Sequence, residues 1–333
     1  MVDLKRGFAF RPLSNLTALQ KPTTRRRGAA AEADPLGPLA QLPGRWEGTG
    51  FNTIWRPLHD PAHPGQGHFL ELNLTVETLE FDRIGGKIPN RGLLQEDLIM
   101  FGLHYLQQIS DNFGNGLHIE PGVWLNVPAT SNPQVPESVV RMGSIPHGTT
   151  IVAQGLATPG TPGAPTFADA NIKPFVIGNP GQTIDFPEAD LSVPTLFRSS
   201  PELIAGITQP MVDSPNSVLQ SAIAGQNIVN TITLDVTTQP TPVIGGGTAN
   251  TAFLIGGPDG PNADAVSASS IFWIEQVREA DGTEFLQLQY TQTVLLDFGG
   301  LSWPHLSVAT LRQTGKARSD RERDQVAADN QRR

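Results

Sequence analysis

The residues whose types and spacing best support chemistry lie near the end of the ordered chain, in LSWPHLSVATLR. An extended strand sends alternate side chains to opposite faces, so His305, Ser307, Ala309 and Leu311 share one face while Leu306 and Val308 share the other. If that first face looks into a cavity, small Ser307 and Ala309 leave room beside the imidazole for something flat and bulky. A neutral imidazole on a rigid strand with space before it suits an axial ligand to haem iron. A lone histidine at a strand start is more often a hydrogen-bonded, partly exposed side chain, so the assignment depends on what the rest of the chain builds.

The other histidines have weaker surroundings for chemistry. His59, His63 and His68 fall in RPLHDPAHPGQGH, where Asp60 completes a set of metal-ligand types. Proline and glycine deny that stretch the helix that would align them, and a solvated loop is expected. His104, in FGLHYLQQISD, precedes a helical turn on this reading and is given no role. His118 and Glu120 stand two apart on a strand and share a face, an arrangement in which a carboxylate orients an imidazole; a structural hydrogen bond is expected ahead of a functional one. His147, in SIPHGTT, falls at a turn, as a turn tip or a pocket-rim group. No Ser-His-Asp order or paired-carboxylate motif stands out, and GGGTAN at 245–250 lacks the following helix of a phosphate loop. No catalytic residue is assigned.

These side chains need a frame. The 333 residues include 34 Gly and 29 Pro, with short Val/Ile/Thr/Phe runs between turn residues, which is the composition of an all-β protein. Expected strands are 44–55, 69–82, 93–101, 117–127, 138–145, 149–155, 228–238, 251–256, 269–278, 285–296 and 304–312. The last two are joined by a linker holding Gly299, Gly300 and Pro304, the pattern of a hairpin. So many antiparallel segments suit a closed barrel that leaves no sheet edge exposed. Helices are expected only in 200–224, as two short ones capped by Ser200 and Ser214 and broken from each other at Pro210.

Charge is unevenly placed. The net is −9, divided as +4 over 1–43, −15 over the middle and +2 over 313–333. An acidic body argues against nucleic acid as a partner. No run approaches the roughly 18 apolar residues of a membrane helix, the N-terminus lacks a signal-like apolar stretch, and a cytoplasmic location is the expectation. The chain has no cysteine, which excludes disulfides, thiolate metal sites, iron–sulfur clusters and cysteine nucleophiles. The expected organisation is a flexible arm over 1–43, one barrel domain over 44–312 with an insertion at about 156–225, and a disordered tail over 313–333.

Four segments in order carry a resemblance: GRWEGTGFNTIWRP; TLEFDRIGGKIPNRGLLQED; GLHIEPGVWLNVP with VVRMGSIPHGTTIVAQG; and LQYTQTVLLDFGGLSWPHLSVATLR. Together they resemble the nitrobindin family, relatives of the lipocalins and fatty-acid-binding proteins, across roughly 44–155 and 269–312. That resemblance implies a ten-stranded antiparallel barrel holding haem b through one histidine of a final H-L-x-A-x-L-x-R-like strand, here His305 to Arg312. It also implies that Trp46 of the Gly-x-Trp opening closes one barrel end, with Arg312 packed against it, and that Leu117-His118-Ile119-Glu120-Pro121-Gly122 is the second signature. The family's association with nitric oxide and peroxynitrite isomerisation makes a diatomic or peroxide-like molecule the expected ligand. The chain departs from the family in its length, in Trp55-Arg56-Pro57 where tyrosine-proline is usual, and in 156–250. The insertion is expected to lie over the barrel or its mouth as an independent lid that narrows access. The alternatives are a haem-free barrel carrying a fatty acid or other apolar molecule, and a structural barrel whose insertion makes a homo-oligomer contact.

Overall fold

The computed structural model describes residues 33–317. Ten long strands run in chain order around a closed antiparallel barrel: β1 Gly44–Pro57, β2 His68–Arg83, β3 Leu98–Asp111, β4 Gly116–Val127, β5 Ser138–Ile145, β6 Thr149–Thr161, β7 Ile228–Thr237, β8 Asp264–Arg278, β9 Glu284–Phe298 and β10 Leu301–Gly315. Closure comes from β10 pairing with β1, in a register that sets His305 beside Ile54 and Ala309 beside Gly50. The β9–β10 hairpin turns on Gly299 and Gly300 alone, with φ of 58° and 81°. Two consecutive positive φ values define the tight turn whose twist matches that of its strands, and only glycine adopts them without strain. Among the described residues no helix is long and apolar enough to cross a membrane.

Two apolar cores sit on opposite sides of the barrel wall. The inner one fills the lower lumen with Trp46, Leu79, Phe81, Leu103, Trp124, Phe272, Leu288 and Leu311, and is plugged from below by Leu36, Leu39 and Leu42. Those last three belong to the segment expected as a flexible arm. Its described part, 33–43, contributes a short 3₁₀ turn at Gly37–Leu39 and is part of the core; the remainder of the expected arm, 1–32, and the tail from 318 lie outside the described residues. At the other end of the barrel domain β10 runs on to Gly315, past the expected boundary at 312.

The outer core is built by the insertion. Ile172, Ile207, Val212 and Leu219 pack on Phe51, Trp55, Leu72, Trp273, Leu306 and Val308. The insertion also satisfies the free upper edge of β2, where Leu70 N–H donates to Phe197 O at 2.9 Å and Ser199 N–H to Leu70 O at 3.0 Å. Its residues thus cover the wall behind His305. The insertion thus lies over the barrel, one of its two expected places, because the outward faces of β1, β2 and β10 are themselves apolar and need a cover. Phe167, Phe186 and Leu191 pack there as their apolar character predicts, whereas Leu196 is 79% exposed.

Other expectations are corrected. The third strand is Leu98–Asp111, not 93–101: Leu93 and Leu94 are exposed in a loop, and His104 lies within the strand, pointing outward. Polar Gln107 faces inward and hid the alternation. The run at 251–256 holds a helical turn, α3 Ala252–Ile255, since a short apolar run has no period that separates helix from strand. In the insertion α1 Gln209–Asp213 and α2 Asn216–Ala222 form, preceded by Thr208 and Pro215 instead of capping serines. Pro210 opens α1, where a missing N–H costs nothing.

One buried carboxyl marks the seam between insertion and barrel. Glu275 is wholly buried on the outer face of β8, with one oxygen 2.6 Å from Gln287 Nε2, which in turn meets Gln226 at the end of the insertion. The other oxygen has no hydrogen-bond partner among the described residues. Burial pushes its pKa from 4.5 up to about 7, against the Gln287 hydrogen bond. As pH rises from about 4.5 to 7 the unfolded chain releases this proton and the folded one keeps it, so stability falls by up to roughly 3 kcal/mol. The Glu275→Gln variant is expected to lose that slope in urea unfolding measured across this pH range; an unchanged slope would contradict the assignment.

Candidate ligand site in the barrel lumen

The middle of the lumen is spanned by a polar network. Arg141, inward on β5 and 1% exposed, donates through Nη2 to Glu120 Oε1 at 2.8 Å, through Nη1 to Ser270 Oγ at 2.8 Å and Gln292 Oε1 at 2.5 Å, and through Nε to Tyr105 Oη at 3.2 Å. Tyr105 donates to the same Glu120 oxygen. Inward glycines make the slot: a Cβ on Gly122 would come 2.4 Å from the Tyr105 ring, and one on Gly143 2.4 Å from Glu120 Oε1. Burial opposes ionisation of Glu120, but Arg141 with the His118 and Tyr105 hydrogen bonds outweighs it and holds the carboxyl down at about 2. Beside this lies a second cluster, where Glu77 accepts from Thr75 at 2.8 Å and from Tyr290 at 2.6 Å. Burial raises the Glu77 pKa despite those bonds.

Above the network lies the histidine end. His305 faces inward with its strand's other face covered by the insertion, so the ring is enclosed by protein while keeping partial accessibility. Burial first, then the charges of His118 and His147, push its pKa down to about 3. At neutral pH the ring is an uncharged base. Among the described residues its hydrogen-bonding contact is Asn52 Nδ2, 3.4 Å from Nε2. That amide donates more closely to Ser307 Oγ, at 3.0 Å, and its buried Oδ1 has no hydrogen-bond partner there. His118 brings Nε2 to 3.3 Å from Glu120 Oε2, and its ring centre lies 5.8 Å from that of His147. His147 sits at the rim, its pKa lowered by burial and then by His118.

The expected alternation on β10 is therefore present: His305, Ser307, Ala309 and Leu311 face the lumen, and Leu306 and Val308 face the insertion. Ser307 adjoins the histidine through Asn52, while Ala309 is fully buried in the apolar floor. Trp46 closes that floor, its Nε1 donating to Leu42 O at 2.8 Å. Arg312 does not pack against it. Strand parity turns Arg312 outward, over the Phe285 ring at 3.7 Å. His59 and His63 are exposed, the latter 2.8 Å from Asp60, as a solvated loop requires. His68 departs from that reading, enclosed by Trp55, Phe186 and Trp303 with Glu188 at 3.6 Å.

Arg141, Tyr105, Glu77, Tyr290 and Asn52 were not singled out from sequence. The available signal was an arginine at an inward position between Val139 and Gly143. Among the described residues no three or more His, Cys, Asp or Glu side chains converge as a metal-ligand set. A single axial imidazole needs no such set. Comparison with protein-family models, curated proteins and solved structures finds no match. The closed ten-stranded antiparallel barrel is compatible with a calycin-like fold.

Breaking a buried ion pair from one side leaves an uncompensated charge. Arg141→Met is expected to cost about 3–5 kcal/mol in urea unfolding at neutral pH, and adding Glu120→Gln should recover much of it. Additive losses would show that the two side chains do not act as a pair.

Proposed function

We propose that the protein binds haem b at the histidine end of the barrel, with His305 as the single axial ligand and the sixth position open or held by water. The observation that supports this most is an inward imidazole, fixed on a doubly covered strand and uncharged at neutral pH. An uncharged ring keeps one nitrogen lone pair, which ligation requires. The donor chemistry fits the group: one neutral imidazole, whose 3.4 Å amide contact with Asn52 can be exchanged.

When bound, haem iron supplies a site that takes and polarises a small diatomic or peroxide-like molecule. The chain's own residues define what else happens there. Asn52, tied to Ser307, orients the His305 side. His118 holds an N–H or lone pair at Nε2 against Glu120, a position from which an imidazole exchanges protons with a polar ligand in the same end. Arg141 has its guanidinium fully engaged and would not be available to haem carboxylates. Reaction with nitric oxide, isomerisation of peroxynitrite or weak peroxidase activity is the chemistry the nitrobindin resemblance suggests.

The fatty-acid reading is less well supported. A buried carboxylate ligand needs a donor to meet it, and the lumen's arginine is already neutralised by Glu120, with tightly packed apolar side chains below.

Titration with hemin decides between them. The wild-type chain is expected to take up one equivalent with a sharp Soret band, and His305→Ala to retain neither the stoichiometry nor the band. A variant that keeps both, or a wild type that takes up no hemin and yields lipid on extraction, would end the proposal.

A further inference from the structure

A groove of about 540 Å³ runs along the outside of the barrel rim, lined in part by Gln108, Leu117, His118, Pro146 and His147. The ring centres of His118 and His147 stand 5.8 Å apart with planes tilted by 35°. Two imidazoles ligating one zinc-sized ion at about 2.0–2.1 Å, with angles from tetrahedral to somewhat wider, place their ring centres roughly 5–6 Å apart.

Each ring also has an oxygen behind it. His118 turns Nε2 to Glu120 Oε2 at 3.3 Å, and that carboxylate is itself anchored by Arg141 at 2.8 Å. The Leu117 backbone carbonyl stands beside the His147 ring, where it favours an N–H. An acceptor on one ring nitrogen places the proton there and leaves the other nitrogen as a lone pair, the arrangement that backs metal-ligating histidines. The groove is open to solvent, so water or a small anion can fill the remaining positions.

We propose that His118 and His147 form a two-imidazole site for a borderline transition-metal dication, Cu²⁺ before Zn²⁺, at the rim of the barrel. The order follows the general preference of nitrogen ligands among divalent metals. The site adjoins His305, whose pKa both rings help to lower, and does not rest on haem binding.

The test uses the full-length, haem-free chain with Cu²⁺ followed by electron paramagnetic resonance, and Zn²⁺ by calorimetry. Wild type is expected to bind one ion with nitrogen hyperfine structure from two imidazoles. His118→Ala and His147→Ala should each weaken binding on the order of tenfold or more, and the double variant should lose the stoichiometric site. His305→Ala and the His59→Ala/His63→Ala pair should bind as wild type does. Circular dichroism identifies a variant that has not folded, and the more conservative His118→Gln and His147→Gln then take its place, with the same loss expected. Stoichiometric binding that survives in the double variant, or that disappears with His59 and His63 or with His305, would overturn the proposal, as would a wild type that binds neither ion.

Discussion

The ion pair between Arg141 and Glu120 is the interaction on which the inside of this barrel depends. Removing two charges from water costs several kcal/mol each, and the attraction between them repays that only when the remaining hydrogen-bonding capacity is met. Here Ser270, Gln292 and Tyr105 meet it, from three further strands. The network therefore ties β3, β4, β5, β8 and β9 across the lumen and makes a floor for what lies above. Below it, apolar side chains pack closely around Trp46. Above it, the wall carries Asn52, Ser307, His118 and His305.

The second constraint acts from outside. Most strands of a one-layer barrel have one face in water, yet β10 around His305 has neither, because the insertion covers Leu306 and Val308 while the lumen holds His305 and Leu311. A strand fixed on both faces and paired on both edges presents its histidine with little freedom. Trp55, wholly buried, strengthens the clamp by donating from Nε1 to Ile172 O at 2.8 Å. The insertion thus supports the His305 wall.

Some of this was legible in the sequence and some was not. Period-two patterning placed His305 correctly against Leu306 and Val308, and Gly299-Gly300 marked the hairpin, because these are local properties of an extended chain. The cover over Leu306 was legible only as an excess of apolar residues in 156–225; where they pack depends on non-local contacts. The strand Leu98–Asp111 was cut short because Gln107 breaks the apolar alternation, and Gln107 is tolerated inward only because Tyr290, 183 residues away in sequence, accepts its hydrogen bond at 3.0 Å. Arg141 was invisible for the same reason: a buried arginine makes sense only once its partners are assembled. Arg312 was misplaced by following the family resemblance over strand parity.

The central claim is that His305 is an enclosed, uncharged base facing the lumen. Two-dimensional nitrogen–proton correlation of the imidazole rings, assigned by comparison with His305→Gln and followed from pH 8 to pH 4, tests it most directly. The account predicts that His305 stays neutral throughout, as expected of a ring whose pKa burial has lowered to about 3. Titration near 6.5, the ordinary value of a solvated histidine, would contradict it.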